Sequence, residues 1–167
     1  MWARNRSDGR GAVSEPIVEG EIDARGRRIA IVAARFNDFI VASLLKGAQQ
    51  AWQERGGAEP DLLITRVPGA FELPVVARRL AASGEYQAIV ALGCVIRGDT
   101  PHFDYVAGEC ARGLQAASLE TGVPIAFGVL TVNTVEQALQ RAATNADNKG
   151  AEAMLTALEM AGLMARL

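Results

Sequence analysis

The chain predicts an α/β protein: a three-layer α/β/α sandwich on a four-stranded parallel sheet, with a short N-terminal edge strand. Three observations lead there. Four strand-like runs are each followed by a segment of helical spacing, an alternation that gives a parallel sheet covered by helices on both faces with right-handed crossovers. The runs are short, apolar and rich in β-branched residues, as strands buried on both faces are. Finally, the chemically unusual residues all follow strands, at the edge where open α/β sheets bind ligands.

Each element has its own grounds. Residues 1–15, "MWARNRSDGRGAVSE", are rich in Arg, Gly and Ser without periodicity and read as a disordered arm, with its arginines serving solubility. Residues 16–167 read as one domain. "IVEGEI" (17–22) is the candidate edge strand and "ARGR" (24–27) a turn. "RIAIVAA" (28–34) and "DFIVASLLKGAQQAWQERGG" (38–57) form the first strand and helix, "DLLITRV" (61–67) and "ELPVVARRLAASG" (72–84) the second pair. "AIVALGCVI" (88–96) precedes a helix from about Pro101, which stops at Gly122 with Pro124 beyond it. "PIAFGVLTV" (124–132) precedes "TVEQALQRAA" (134–143), and "GAEAMLTALEMAGLMARL" (150–167) is a closing helix.

Composition narrows the function. With 167 residues, half of them apolar, the chain fits one globular domain. Only 5% of residues are aromatic, so the core is expected from Ala, Val, Leu and Ile. A net charge of −2 gives no reason to expect nucleic acid. No apolar run approaches the roughly 20 residues that span a bilayer, and the opening segment lacks the apolar core of a secretory signal; the cytoplasm is the expected location. Cys94, Cys110 and a single histidine make a poor zinc set, so reduced structural thiols and no metal are expected.

The strand-end motifs carry the chemistry. In "ARFND", Asn37 as helix cap with Phe36 stapled onto Val41 is favoured over Phe36 stacking on a planar ring. In "VPGAFELP", Pro68-Gly69 turns the chain, while Gly69 and Ala70 let a ligand approach the backbone. Glu72 there either compensates a helix dipole or accepts hydrogen bonds from ligand hydroxyls, and the two are compatible. In "RGDTPHFD", Thr100 is the expected N-cap and Pro101 the first helical residue. His102 then falls in the first turn, where partial positive charge favours a neutral imidazole and welcomes an anion. An imidazole that titrates near pH 7 beside an anion site points to general acid/base chemistry. Arg97 reads as a solvated charge. Thr134 and Gln137 form a capping box, and Arg141 and Lys149, taken alone, read as surface charges. Neither a Walker loop nor a GxGxxG fingerprint is present.

Taken together, "RFND", "VPGAFELP", "GCVIRGDTPHFDYV", "GVLTVNTVEQALQRA" and "NKGAEA" resemble, in order and spacing, the 6,7-dimethyl-8-ribityllumazine synthases. The resemblance runs from about Ile17 to the C-terminus. It implies a flavodoxin-like fold and the condensation of 5-amino-6-(D-ribitylamino)uracil with 3,4-dihydroxy-2-butanone 4-phosphate, the penultimate step of riboflavin formation. It implies that Phe36 stacks on the pyrimidine, that Ala70, Phe71 and Glu72 meet the uracil substrate, and that Cys94, Val95 and Ile96 line the ring site. Asp99 and Thr100 would hold the butanone phosphate with Arg141 and Lys149, His102 would donate the proton, and Phe127 would reach a neighbouring subunit's site. The nucleophile is the substrate's own amine, so no metal or organic cofactor is implied. Pentamers with sites between subunits, in some members sixty-subunit shells, are implied as well, with riboflavin synthase as a candidate partner. Two positions depart from the pattern: Asn133 stands where an acidic residue is common and Asn145 where a lysine is, which bears on phosphate affinity and shell assembly. Two other readings are a non-catalytic flavin or lumazine carrier on the same scaffold, and a hydrolase using Cys94 with His102.

Overall fold

Strand β1, Ile29–Ala34, is buried along its whole length in the computed structural model, which describes residues 16–145 and 147–167. Its neighbours are β2, Leu62–Val67, and β3, Ala88–Ile96, and β3 in turn pairs with β4, Ile125–Val132. All pairs are parallel and the order is β2-β1-β3-β4. Successive side chains of a strand point to opposite faces. Ile29, Ile31 and Ala33, with Val90, Leu92 and Cys94, therefore face one layer. Ala30, Val32 and Ala34, with Ile89, Ala91 and Val95, face the other.

The first face is covered by α1, Asp38–Glu54, α4, Val135–Ala142, and α5, Lys149–Met164. The second is covered by α2, Leu73–Ala82, and α3, His102–Thr121. The expected three-layer sandwich is thus present, and Ala, Val, Leu and Ile dominate its core; among the described residues the buried aromatics are Trp52 and Tyr86. Helix α3 ends at Gly122, whose φ of 70° is the left-handed conformation of a helix C-cap.

Three local expectations change. Ile17–Ile22 forms no strand: its backbone runs over α5, where Arg166 Nη1 donates to the Glu19 carbonyl at 2.7 Å and a side chain on Gly20 would collide with the Glu159 carbonyl. Lying on a helix rather than beside a strand, the segment has no ladder to join. The helix expected from Glu72 starts as a 3-10 turn, Ala70–Glu72, before α2 proper, and a second such turn, Glu59–Asp61, precedes β2. Helix α3 begins at His102 with Pro101 as N-cap, one residue later than expected. The arm, residues 1–15, lies outside the described residues.

Strand order reverses between β1 and β3, because the chain moves outward from β1 to β2 and then returns to β1's other side. Such a switch point opens a crevice at the carboxyl ends of the strands.

Candidate active site

The crevice is built from three strand ends. Beyond β1, the Arg35 and Phe36 amides continue the ladder, donating to the Val67 and Pro68 carbonyls at 2.8 and 3.0 Å. Asn37 then turns the chain in the left-handed conformation, φ 59° and ψ 45°, which asparagine tolerates better than other non-glycine residues. Its side chain does not cap α1; Nδ2 donates to the Cys94 carbonyl at 2.9 Å and ties this turn to the end of β3. The expected staple is absent for the same reason. Val41 is fully buried whereas Phe36 is 71% exposed, so the ring is held out over the crevice instead of on the helix.

Beyond β2, Pro68 and Gly69 lead into the 3-10 turn, and Pro74 occupies the first turn of α2, where a missing N–H costs nothing. Phe71 is exposed and Glu72 half-buried. Although Glu72 stands at the N-cap of α2, its side chain makes no capping bond. Gly69 makes room for that carboxylate: a methyl group there would sit 3.2 Å from Glu72 Oε2. At the end of β3, Cys94 and Val95 are buried and Ile96 half-buried, and beyond the strand the chain bends through Gly98, Asp99 and Thr100 into α3. Thr100 Oγ1 accepts from the His102 amide at 3.4 Å, so it still serves the helix start although it is not the N-cap.

These pieces enclose a cavity of about 690 Å³. Phe36, Ala70, Phe71, Glu72, Cys94, Val95, Ile96, Thr100 and His102 all line it. Its walls are largely apolar and aromatic, with Glu72, Thr100, His102 and Tyr105 carrying the polar side-chain groups, the pattern of a small-molecule site. Burial pushes the Cys94 thiol up to about 11. A thiol so raised holds its proton at neutral pH and supplies no thiolate, which removes the basis of a Cys94–His102 hydrolase.

Three of the candidates gather elsewhere. Phe127, Arg141 and Lys149 line a second cavity of about 420 Å³ between β4, α4 and α5. Arg141 Nη1 donates to the Gln137 carbonyl at 3.1 Å, and Lys149 Nζ pairs with Glu152 Oε2 at 2.6 Å. Asp99 is exposed and lines neither cavity. Within one chain, therefore, the cations are not in the cavity that holds His102. The capping box at α4 forms in part: Thr134 Oγ1 accepts from the Gln137 amide at 3.2 Å, but Gln137 Oε1 reaches the Asn133 amide, at 2.8 Å, rather than that of Thr134.

The model of the 6,7-dimethyl-8-ribityllumazine synthase family matches residues 26–165. The chain belongs to that family. Lumazine synthases are transferases of riboflavin biosynthesis, and the protein is an enzyme of that family.

On this lumazine synthase scaffold, sequence reasoning passed over several residues. Phe103, Tyr105 and Val106 also line the His102 cavity. Their signal was present: positions 102, 105 and 106 share one helix face. Arg97 is more than a solvated charge, since its guanidinium lies 4.3 Å over the Phe103 ring, donates to Asn133 Oδ1 at 3.0 Å and pairs with Asp104 at 3.5 Å. It braces the residues on the C-terminal side of His102 against the end of β4. Among the described residues, no three His, Cys, Asp or Glu side chains group as a metal site, and no helix is long and apolar enough to cross a membrane.

Proposed function

We propose that the protein condenses 5-amino-6-(D-ribitylamino)uracil with 3,4-dihydroxy-2-butanone 4-phosphate to 6,7-dimethyl-8-ribityllumazine, releasing phosphate, as a cytoplasmic homopentamer. The observation that carries this reading is the convergence of an exposed aromatic ring, a half-buried carboxylate and the only histidine on one cavity at the sheet's switch point. Phe36 gives a face for the pyrimidine, and Glu72 accepts hydrogen bonds from the ribityl hydroxyls. Ala70 and Phe71 border the uracil. Cys94, Val95 and Ile96 form the floor of the ring site, with the Cys94 carbonyl already engaged by Asn37.

The substrate amine attacks the butanone carbonyl, water leaves as the imine forms, phosphate is eliminated, and the ring closes with loss of a second water. Each departure needs a proton, and in this reading His102, which lines the cavity, donates and recovers it. Holding both substrates in one crevice adds to the proton transfers, because it turns a bimolecular encounter into an internal one.

The butanone phosphate takes the backbone N–H groups of Asp99 and Thr100 at the start of α3, together with Arg141 and Lys149. Separation of these cations from His102 within a chain supports a site completed by a second copy, whose β4–α4–α5 cavity brings Phe127, Arg141 and Lys149 to the His102 crevice. A non-catalytic carrier would need the ring and ribityl contacts but neither His102 nor the cations. In Arg141→Ala the KM for the butanone phosphate is expected to rise about tenfold or more while ribitylaminouracil affinity is largely kept, as for loss of a charge-assisted contact to one substrate. Equal loss of both affinities would contradict the assignment.

A further inference from the structure

Asn148 is the buried polar side chain among the described residues, 2% exposed. Both ends of its amide are engaged. Oδ1 caps α5, accepting from the Gly150 and Ala151 amides at 2.9 and 3.0 Å. Nδ2 lies 3.1, 3.0 and 3.1 Å from the carbonyls of Ser43, Ala142 and Ala143. One side chain thus joins the middle of α1, the end of α4 and the start of α5. Gly47 of α1 leaves the space for it, since a methyl group there would overlap the Asn148 side chain.

What this amide joins are the two elements that carry the cations. Arg141 is the penultimate residue of α4 and Lys149 the first residue of α5, and both line the 420 Å³ cavity. A connection of six residues, 143–148, lies between the two helices, long enough to let them shift independently if nothing tied them. We infer that Asn148 is a positioning residue that holds Arg141 and Lys149 in register and so sets the affinity of their cavity for a phosphate group. The inference rests on the assignment of these cations to the substrate phosphate.

Asparagine suits the place for a chemical reason. The position needs an acceptor toward the free N–H groups at the start of α5 and a donor group whose two N–H bonds are shared among three carbonyls. Aspartate keeps the acceptor but sets an oxygen against those carbonyls. Serine keeps a cap but is too short to reach α1 and α4 together.

The test uses the full-length protein with inorganic phosphate as the probe, measured by calorimetry, alongside substrate kinetics. In Asn148→Ser and Asn148→Asp, phosphate binding and the KM for the phosphate substrate are expected to worsen about tenfold or more, with the KM for ribitylaminouracil within about twofold, as for misplacement of a binding group. Adding Lys149→Met to Asn148→Ser is expected to add little, since residues that act as a unit are not additive. A lower melting temperature with both KM values and phosphate affinity unchanged would reduce Asn148 to a structural cap and overturn the inference. Should neither variant fold, hydrogen exchange on the wild type decides: phosphate is expected to slow exchange at the Gly150 and Ala151 amides by linkage, and unchanged exchange overturns the inference. Wild-type protein that turns over substrate while the variants bind phosphate normally sinks this inference alone. Wild-type protein that neither turns over nor binds phosphate sinks the proposed function with it.

Discussion

Single residues here do work that depends on where the backbone puts them. His102 was conspicuous in the sequence as the only histidine beside an anion-friendly helix start, and the structure sets it on the cavity wall. Phe36 and Arg97 were harder to read. The staple and the stacking face use the same residue type, and the choice turned on Asn37 adopting the left-handed conformation and bonding to a strand 57 positions away. Arg97 reaches Asn133 across 36 positions, a contact no local pattern announces. Asn148 resembles any loop asparagine until three elements close around it. Cys94 lends itself to a pH test. Its thiol and that of Cys110 are both raised by burial from 9.0 to about 11. Folding therefore favours the protonated form. The resulting stability is complete below pH 9 and is lost as pH rises toward 11, by on the order of 2 kcal/mol per thiol at 1.36 kcal/mol per pH unit. Denaturation midpoints at rising pH are expected to fall less steeply for Cys94→Ala than for wild type; parallel curves would contradict this.

At the scale of elements, the strands were the most legible part. Ala88–Ile96 was read to the residue, because an uninterrupted apolar run has no place except a doubly covered central strand. Starts of helices were less legible: Thr100 has the side chain of a good cap, yet the bend at 99–100 delays α3 by one residue. The edge strand failed because a short segment such as 17–22 can run extended without a strand beside it to pair with. The turn after β2 makes a prediction of its own. Gly69 has φ −152° and ψ −176°, extended backbone open to any residue. Gly69→Ala is accordingly expected to leave stability within about 0.5 kcal/mol while its methyl displaces Glu72 and weakens ribitylaminouracil binding. Unchanged affinity, read by titration of that substrate, would show that the carboxylate has room to spare and does not depend on this glycine.

For the whole molecule, the sheet order explains why three separate motifs share one cavity: the reversal between β1 and β3 opens one crevice that receives three strand ends. The fourth motif, with Arg141, lies at another cavity beside Lys149, and only the family resemblance, not the local pattern of these residues, implies that a second copy brings them to the His102 crevice. Complementation tests that arrangement. His102→Ala and Arg141→Ala proteins, each impaired alone, are expected to regain activity when assembled together, because mixed interfaces combine an intact His102 with an intact Arg141. Mixtures no better than the separate variants would place both residues in one chain's site. The central claim is the reaction itself. The most direct measurement mixes 5-amino-6-(D-ribitylamino)uracil and 3,4-dihydroxy-2-butanone 4-phosphate with purified protein and follows lumazine absorbance, with His102→Ala alongside. The expected result is a rate well above the spontaneous condensation for wild type, reduced by about 10²-fold or more in His102→Ala with ligand binding retained, as for loss of a general acid; a wild-type rate equal to the spontaneous one, with the ligands still bound, would contradict it and leave a carrier.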